Sequence, residues 1–171
     1  KVVSPEILHK SDFGGVILNI GDDQGAEKAF NTLKERAEGR DFWGVVIYPM
    51  LKGGREVILG FTRDVQFGPV VAFGLGGIYT EVLKDIVLRV APVDLKGAQE
   101  MIRSIKTFPI LKGIRGQEPV DLDALAKTIV NFSLLPFLYP DIEEADLNPV
   151  FVFPKGVLVG DVRLIRGSKD K

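Results

Sequence analysis

The sequence predicts an α+β fold in which an antiparallel sheet packs against helices. Short runs rich in Val and Ile are bounded by glycine and proline, as strands usually are. Other stretches carry apolar residues at helical spacing. The strict alternation of strand and helix that marks a parallel sheet is absent. With 171 residues the chain is long enough to bury a substantial core.

The first part of the chain predicts two short strands and a helix. Lys1–Val3 has the pattern of a strand end, and Val16–Ile20 is predicted as a short apolar strand. The helix is predicted from residues spaced by three or four, and Gly39 is expected to end it. Those residues are Ala26, Phe30, Leu33 and Ala37.

Four strands are predicted next. Gly44–Tyr48 and Glu56–Arg63 are expected on either side of a turn at 49–54. Val70–Phe73 and Val87–Val90 are the third and fourth. Charges near the last of these, at Asp85 and Arg89 among others, fit a solvated face.

The last part predicts two helices and a hairpin. Asp94 is the expected N-cap of a helix that runs to Ile105, and a second helix starts near Asp121 and extends to about Leu135. Leu147–Phe153 and Val157–Ile165 then form a hairpin around a turn at 154–156, before a polar tail.

Composition excludes several classes of function. The chain has 22 Lys and Arg against 23 Asp and Glu, a balance that argues against a dedicated nucleic-acid binder. It has no cysteine, so disulfides, thiolate metal sites and a cysteine nucleophile are excluded. No apolar run approaches the roughly 20 residues of a membrane helix. We therefore expect a soluble domain without a membrane partner. Because the chain begins at Lys1 with a strand end, it is expected to start inside a domain.

The hairpin carries a candidate metal site. A two-residue turn places Asn148 opposite Asp161 and Asp146 opposite Arg163, and alternation puts Asp146 and Asn148 on one face. Carboxylate and amide oxygens suit Mg²⁺, which keeps several waters and takes other ligands from phosphates. The alternative is a cross-strand ion pair with an Asx turn at Asn148, and both remain open.

Two further segments are candidates. Gly74, Gly76 and Gly77 follow a strand and could direct backbone N–H groups at an anion, although a tight connection explains them more simply. His9 is the only histidine, so any histidine chemistry in this chain has to use it. A structural role for His9 is the alternative.

Three segments together resemble the ATP-grasp module of NDP-forming acyl-CoA synthetases. They are KVVSPEILHKSDFGGV, GREVILGFTRDVQFGPVVAFGLGGIYTEVLKDIVLRVAP, and ADLNPVFV with GDVRLI. The chain looks like the β subunit of ADP-forming acetyl-CoA synthetases, which are relatives of succinyl-CoA synthetases. The resemblance covers Lys1 to Ile165 and implies an ATP-grasp fold. Residues 1–47 would be the remainder of a first lobe whose N-terminal part is expected to be missing, 48–165 the second lobe, and 166–171 a tail.

The resemblance also implies roles for particular residues. His9 matches a phosphoryl-carrying histidine, and Asn148 and Asp161 match magnesium ligands, with Asp146 beside them. The remaining implied contacts are to ATP or ADP, with the adenine at the hinge formed by 46–50. These nucleotide- or phosphate-binding residues are Lys1, Tyr48, Met50, Glu56, Gly76, Gly77 and Arg89.

The implied function is that of a cytoplasmic enzyme subunit that moves a phosphoryl group between phosphohistidine and ADP with Mg²⁺. Its partner would be an α subunit that carries the CoA-binding and phosphohistidine regions, in a heterotetramer. One alternative is an ATP-grasp-like regulatory or scaffold module of a fused protein acetyltransferase, without turnover. Another is a degenerate nucleotide-sensing domain, against which the retained His9, Asn148 and Asp161 argue.

Overall fold

The computed structural model describes residues 1–7, 10–77, 83–114 and 116–167. The chain divides into two compact units, Lys1–Lys52 (unit 1) and Gly53–Lys171 (unit 2). Each is described by itself. The lobe boundaries implied by the resemblance stay a prediction.

The described residues of unit 1 form one helix and a two-stranded antiparallel sheet. Strands β1 (Val2–Val3) and β2 (Gly44–Val45) pair with each other, and helix α1 spans Asp23–Arg36. The helix begins there because the side chain of Asp22 accepts a hydrogen bond from the Gly25 N–H at 2.7 Å. Unit 1 has a small hydrophobic core of its own. Its members are Val2, Ile7 and Ala37, with Phe13 and Phe42 packed against them.

Two strand predictions in unit 1 are wrong. Val16–Ile20 forms no strand: Leu18 is 60% exposed and Asn19 has φ +59°, which interrupts an extended backbone. The strand predicted over Gly44–Tyr48 ends at Val45, because β1 offers only two residues to pair with. The strand also pairs with β1 instead of with the strand that follows it.

Unit 2 is an antiparallel sheet of six strands in the order β5-β4-β3-β6-β7, with β8 also paired to β6. The strands are β3 (Arg55–Asp64), β4 (Gly68–Leu75), β5 (Ile86–Val90), β6 (Ile142–Val152), β7 (Val157–Val159) and β8 (Val162–Arg166). The helices are α2 (Leu95–Ser104), α3 (Phe108–Leu111), α4 (Leu122–Ser133) and α5 (Leu135–Leu138).

One face of this sheet packs against the helices, and we call it the helix face. Alternation along β3 buries Val57, Leu59 and Phe61 in a cluster that includes residues of α2 and α4. The opposite face, which we call the outer face, takes the alternate residues such as Glu56 and Thr62, both exposed.

Most predictions for unit 2 are confirmed. The α+β class is as expected, and the strands predicted over Glu56–Arg63, Val70–Phe73 and Val87–Val90 lie within β3, β4 and β5. Asp94 and Asp121 cap α2 and α4. Leu135 lies outside α4, in the separate short helix α5 with Pro136 in its first turn. Within the described residues, no helix combines the length and apolar character needed to cross a membrane.

Candidate functional site

The C-terminal hairpin has the predicted register. The Phe153 N–H donates to the Gly156 carbonyl at 3.0 Å, which closes a two-residue loop. Asp146 and Arg163 lie directly opposite each other in the backbone register of the two strands, as expected. The Asn148 N–H donates to the Asp161 carbonyl at 3.2 Å, so these two residues also lie opposite each other.

Both strands of the hairpin carry an extra residue at the position of Asn148. Leu147 and Val150 pair with Leu59 and Val57, so two β6 residues lie opposite Ile58 alone, which defines a β-bulge. The facing strand is interrupted at the same level, which corrects the prediction of one continuous strand over Val157–Ile165. It divides into β7 and β8, with Gly160 and Asp161 between them.

The bulge presents the predicted metal ligands away from the core. Asn148 is exposed and Asp146 and Asp161 are half-buried, whereas Leu147 is buried. The Asp161 Oδ1 atom accepts a hydrogen bond from the Val162 N–H at 3.1 Å, which orients its carboxylate. The donor set is therefore two carboxylates and one amide.

This donor set fits a magnesium ion that keeps water and phosphate ligands. Among the described residues, no group of three or more His, Cys, Asp or Glu side chains could hold a metal without such help. A cross-strand ion pair is present on the hairpin and joins Arg163 to Glu144, a diagonal neighbour on β6. The alternative of an ion pair with an Asx turn at Asn148 stays open.

A second group of predicted residues meets at the end of β4. The Gly76 N–H donates to the Glu56 carbonyl at 2.7 Å, and a Cβ on Gly76 would lie 3.1 Å from the Glu56 backbone. Gly77 has φ +66°, a conformation that favours glycine. A Cβ there would be 4.0 Å from the Glu56 carboxylate. Glu56 pairs with Phe151 on β6, the strand that also carries Asn148.

A groove of about 730 Å³ runs over the outer face, and Asp146 is the predicted metal ligand that lines it. Its centre is a row of paired residues across the sheet: Leu88, Ala72, Gly60, Asp146 and Arg163. The small residues in the middle form the floor, between an apolar wall and a charged one. Space for a ligand is thus available directly beside Asp146.

Arg89 also lines this groove, but its guanidinium is directed away from the predicted metal ligands. Its guanidinium pairs with Glu100 on α2 at 3.0 Å. Its neighbour Leu88 is 64% exposed on the outer face, so alternation along β5 places Arg89 on the helix face. The structure does not bring Arg89 together with Asn148, Asp161 or the glycine turn.

Unit 1 holds the other predicted residues. The Lys1 ammonium lies 5.3 Å from the centre of the Tyr48 ring, and the Val46 N–H donates to the Lys1 carbonyl at 2.8 Å. Tyr48 and Met50 are exposed. His9 lies outside the described residues, so its role stays a prediction.

Sequence reasoning missed one buried acid. Asp85, assigned to a solvated face, is only 8% exposed and accepts hydrogen bonds from the Lys106 N–H and from the Thr107 N–H and hydroxyl. Burial raises its pKa, but the Thr107 hydroxyl and the two N–H groups outweigh it and leave the pKa below the ordinary value. No local spacing links Asp85 to residues so far along the chain.

Comparisons with known proteins show the family and the fold of the chain. A family model for the ATP-grasp domain matches residues 1–165. The β subunit of ADP-forming acetate–CoA ligase I from Pyrococcus furiosus is 51% identical over 169 residues, which cover 96% of this chain and 73% of that subunit. ADP-forming acetate–CoA ligase I from Archaeoglobus fulgidus is 46% identical over 99% of this chain, which spans 25% of that protein.

One solved structure is similar to this chain in both fold and sequence. It is a dinucleotide-forming acetyl-coenzyme A synthetase 1 from Ca. Korarchaeum cryptofilum in complex with coenzyme A and Mg-AMPPCP, with its phosphohistidine segment pointing towards the nucleotide binding site. The TM-score is 0.85 at 38% identity, over 98% of this chain and 75% of that one. The predicted ATP-grasp fold is confirmed, and the chain belongs to the ATP-grasp family of ADP-forming acetate–CoA ligase β subunits.

Proposed function

We propose that this chain is the nucleotide-binding component of an ADP-forming acyl-CoA synthetase that uses acetyl-CoA. The reaction is acyl-CoA + ADP + phosphate ⇌ carboxylate + ATP + CoA. Its partner would be an α subunit with the CoA-binding and phosphohistidine regions, in a cytoplasmic heterotetramer. The high identity to a β subunit of this activity supports the proposal.

The observation that carries the proposal is the pairing of Asn148 with Asp161 at the bulge, next to Asp146. These residues would hold Mg²⁺, which supplies charge neutralisation for the nucleotide phosphates. The groove beside Asp146 leaves room for the phosphoryl donor to approach. Phosphoryl transfer asks mainly for such positioning and electrostatic stabilisation.

Other residues would bind the nucleotide. Gly77 would direct its backbone N–H at the phosphates, whereas the Gly76 N–H already donates to the Glu56 carbonyl and thereby fixes the turn. Lys1 would add a cation, and Tyr48 would contact the base. Met50 would lie beside the base as well.

His9 would carry the phosphoryl group. In the direction of ATP formation, the N–P bond of the phosphohistidine breaks and a P–O bond forms to a β-phosphate oxygen of ADP. The electron pair of the broken bond returns to the imidazole nitrogen, which takes up a proton.

The test is ATP formation by the intact complex from acetyl-CoA, ADP, phosphate and Mg²⁺. Asn148→Ala is expected to lower the rate on the order of 100-fold, in the range for loss of a charge-stabilising group. Asn131→Ala changes an exposed amide on α4 and should leave the rate unchanged. His9→Ala should abolish turnover, and an unaffected rate would give His9 a structural role. No ATP from any acyl-CoA with a folded complex would favour the regulatory or scaffold module.

A further inference from the structure

We propose that Gly160 is a positioning residue for the magnesium pair. Its lack of a side chain lets the connection between β7 and β8 lie directly against the β6 bulge, so that Asp161 stays opposite Asn148. The inference rests on the proposed function, because it assumes that these two residues hold Mg²⁺.

The approach at Gly160 is too close for any side chain. A Cβ there would lie 2.7 Å from Cε2 of Phe151 and 3.0 Å from the Pro149 carbonyl oxygen, whereas ordinary carbon contacts are 3.5–4.0 Å. The Gly160 N–H donates to that same Pro149 carbonyl at 2.8 Å. The backbone hydrogen bond thus requires the close approach that a Cβ would prevent.

A shift at Gly160 would be passed on to Asp161. The connection has only two residues, since Val159 pairs with Val150 and Val162 pairs with Leu147. Asp161 therefore cannot stay in place if its neighbour moves. A displacement of about 1 Å at a positioned group is enough to cost on the order of 100-fold in activity.

A second glycine in the same hairpin provides a matched control. Gly156 has φ +83°, and a Cβ there would meet nothing within 4 Å. Gly156→Ala strains the backbone and lowers stability, but it does not push on Asp161. Any general effect of weakening the hairpin will appear in this control.

Phe151 allows a rescue experiment. Its Cε2 atom makes the nearest contact with a Cβ at position 160, and leucine has no equivalent atom. Phe151→Leu combined with Gly160→Ala removes the 2.7 Å contact and leaves the 3.0 Å contact with the Pro149 carbonyl, so it should restore the close approach in part. Phe151→Leu alone serves as the baseline, because the ring also stacks on Phe153 with centroids 6.5 Å apart.

The experiment measures Mg²⁺ binding to the intact complex at saturating ADP by isothermal titration calorimetry, together with ATP formation as a function of Mg²⁺ concentration. Gly160→Ala is expected to raise the Mg²⁺ concentration for half-maximal rate about tenfold. This change is smaller than the roughly 100-fold loss of activity that a 1 Å displacement of a positioned group can cause. Gly156→Ala should leave this concentration unchanged, and the double variant should return it towards the Phe151→Leu value.

Separate outcomes would overturn the two proposals. If Asn148→Ala raises the Mg²⁺ requirement and Gly160→Ala does not, the positioning role is refuted. If Asn148→Ala leaves the requirement unchanged, the proposed metal site fails, and the role of Gly160 with it. Should Gly160→Ala not assemble, the double variant decides: its assembly supports the steric argument, and its failure to assemble refutes it.

Discussion

Replacing Asp85 by alanine is expected to destabilise unit 2 by about 3 kcal/mol, because the carboxylate satisfies several donors at a buried position. Oδ1 accepts from the Lys106 N–H at 2.9 Å, and Oδ2 accepts from the Thr107 N–H and hydroxyl, each at 2.7 Å. The hydroxyl can rotate to another acceptor, but the two backbone groups cannot. At roughly 1.5 kcal/mol for each bond to a charged acceptor, their loss accounts for the total.

The Asp85→Asn variant distinguishes the contributions of the two carboxylate oxygens to stability. The asparagine carbonyl can keep both bonds from Thr107, whereas its amide group would face the Lys106 N–H. The expected cost of Asp85→Asn is therefore about half that of Asp85→Ala. Urea unfolding of the intact chain, followed by far-UV circular dichroism, should show a lower midpoint at an unchanged slope. Glu118→Gln, at an exposed carboxylate, should change stability by less than about 0.5 kcal/mol.

The effect of Asp85 should depend on pH in one direction. Because hydrogen bonds hold the folded-state pKa below its ordinary value, the stabilisation is fully present above that ordinary value. It is lost as the pH falls through the lowered value. The difference between wild type and Asp85→Asn should thus be constant near neutral pH and shrink only in strong acid. A neutral-pH cost of Asp85→Ala below about 1 kcal/mol, or a difference that does not shrink in acid, would refute the reasoning.

Three further predictions concern other contacts of unit 2. Asp121 accepts from the Ala124 N–H at 2.9 Å and from the Gly156 N–H at 3.0 Å, and these bonds lower its pKa. Asp121→Ala should lower the thermal midpoint near neutral pH, by an amount that falls as the pH drops through that lowered pKa; a pH-independent difference would contradict this. Arg89→Met should change ADP affinity, measured by isothermal titration calorimetry, by less than about twofold because the lost pair with Glu100 is a surface one; a large loss would return Arg89 to the nucleotide site. Arg63 donates to the Ile142 carbonyl at 2.9 Å and to the Pro136 carbonyl at 2.5 Å. Arg63→Met should therefore speed amide hydrogen exchange at the start of β6 and in α5, and unchanged exchange there would exclude an anchoring role.

The elements that were predicted correctly have their signals within a few neighbouring residues. Asp94 and Asp121 are followed by apolar residues at helical spacing, and their side chains cap α2 and α4. The strands of unit 2 alternate because one face is buried against helices. Val16–Ile20 has the same apolar character without a partner strand, so composition alone gave the wrong prediction there.

The parts that were missed depend on residues distant in the sequence. The three hydrogen bonds to the buried Asp85 carboxylate come from Lys106 and Thr107, in the turn before α3. No spacing of residues near Asp85 could indicate these distant partners. The phosphate contact of Arg89 stays a prediction, and in this structure its position on β5 directs the guanidinium to Glu100. The identity of a charged residue therefore suggests a function, whereas its face of the sheet decides whether that function is available.

The hairpin shows why its register could be predicted although one of its strands was not. An extra residue in only one strand would have shifted every later pair by one position and separated Asn148 from Asp161. Here the extra residues in β6 and in the connection between β7 and β8 compensate each other, so pairs on both sides of the interruption keep the register that the turn imposes. The core-facing side chains do change phase, from Leu147 to Val150. The irregularity thus leaves the pairing intact and frees two adjacent positions on each strand from the alternation. Asn148 and Asp161 each occupy one of these positions.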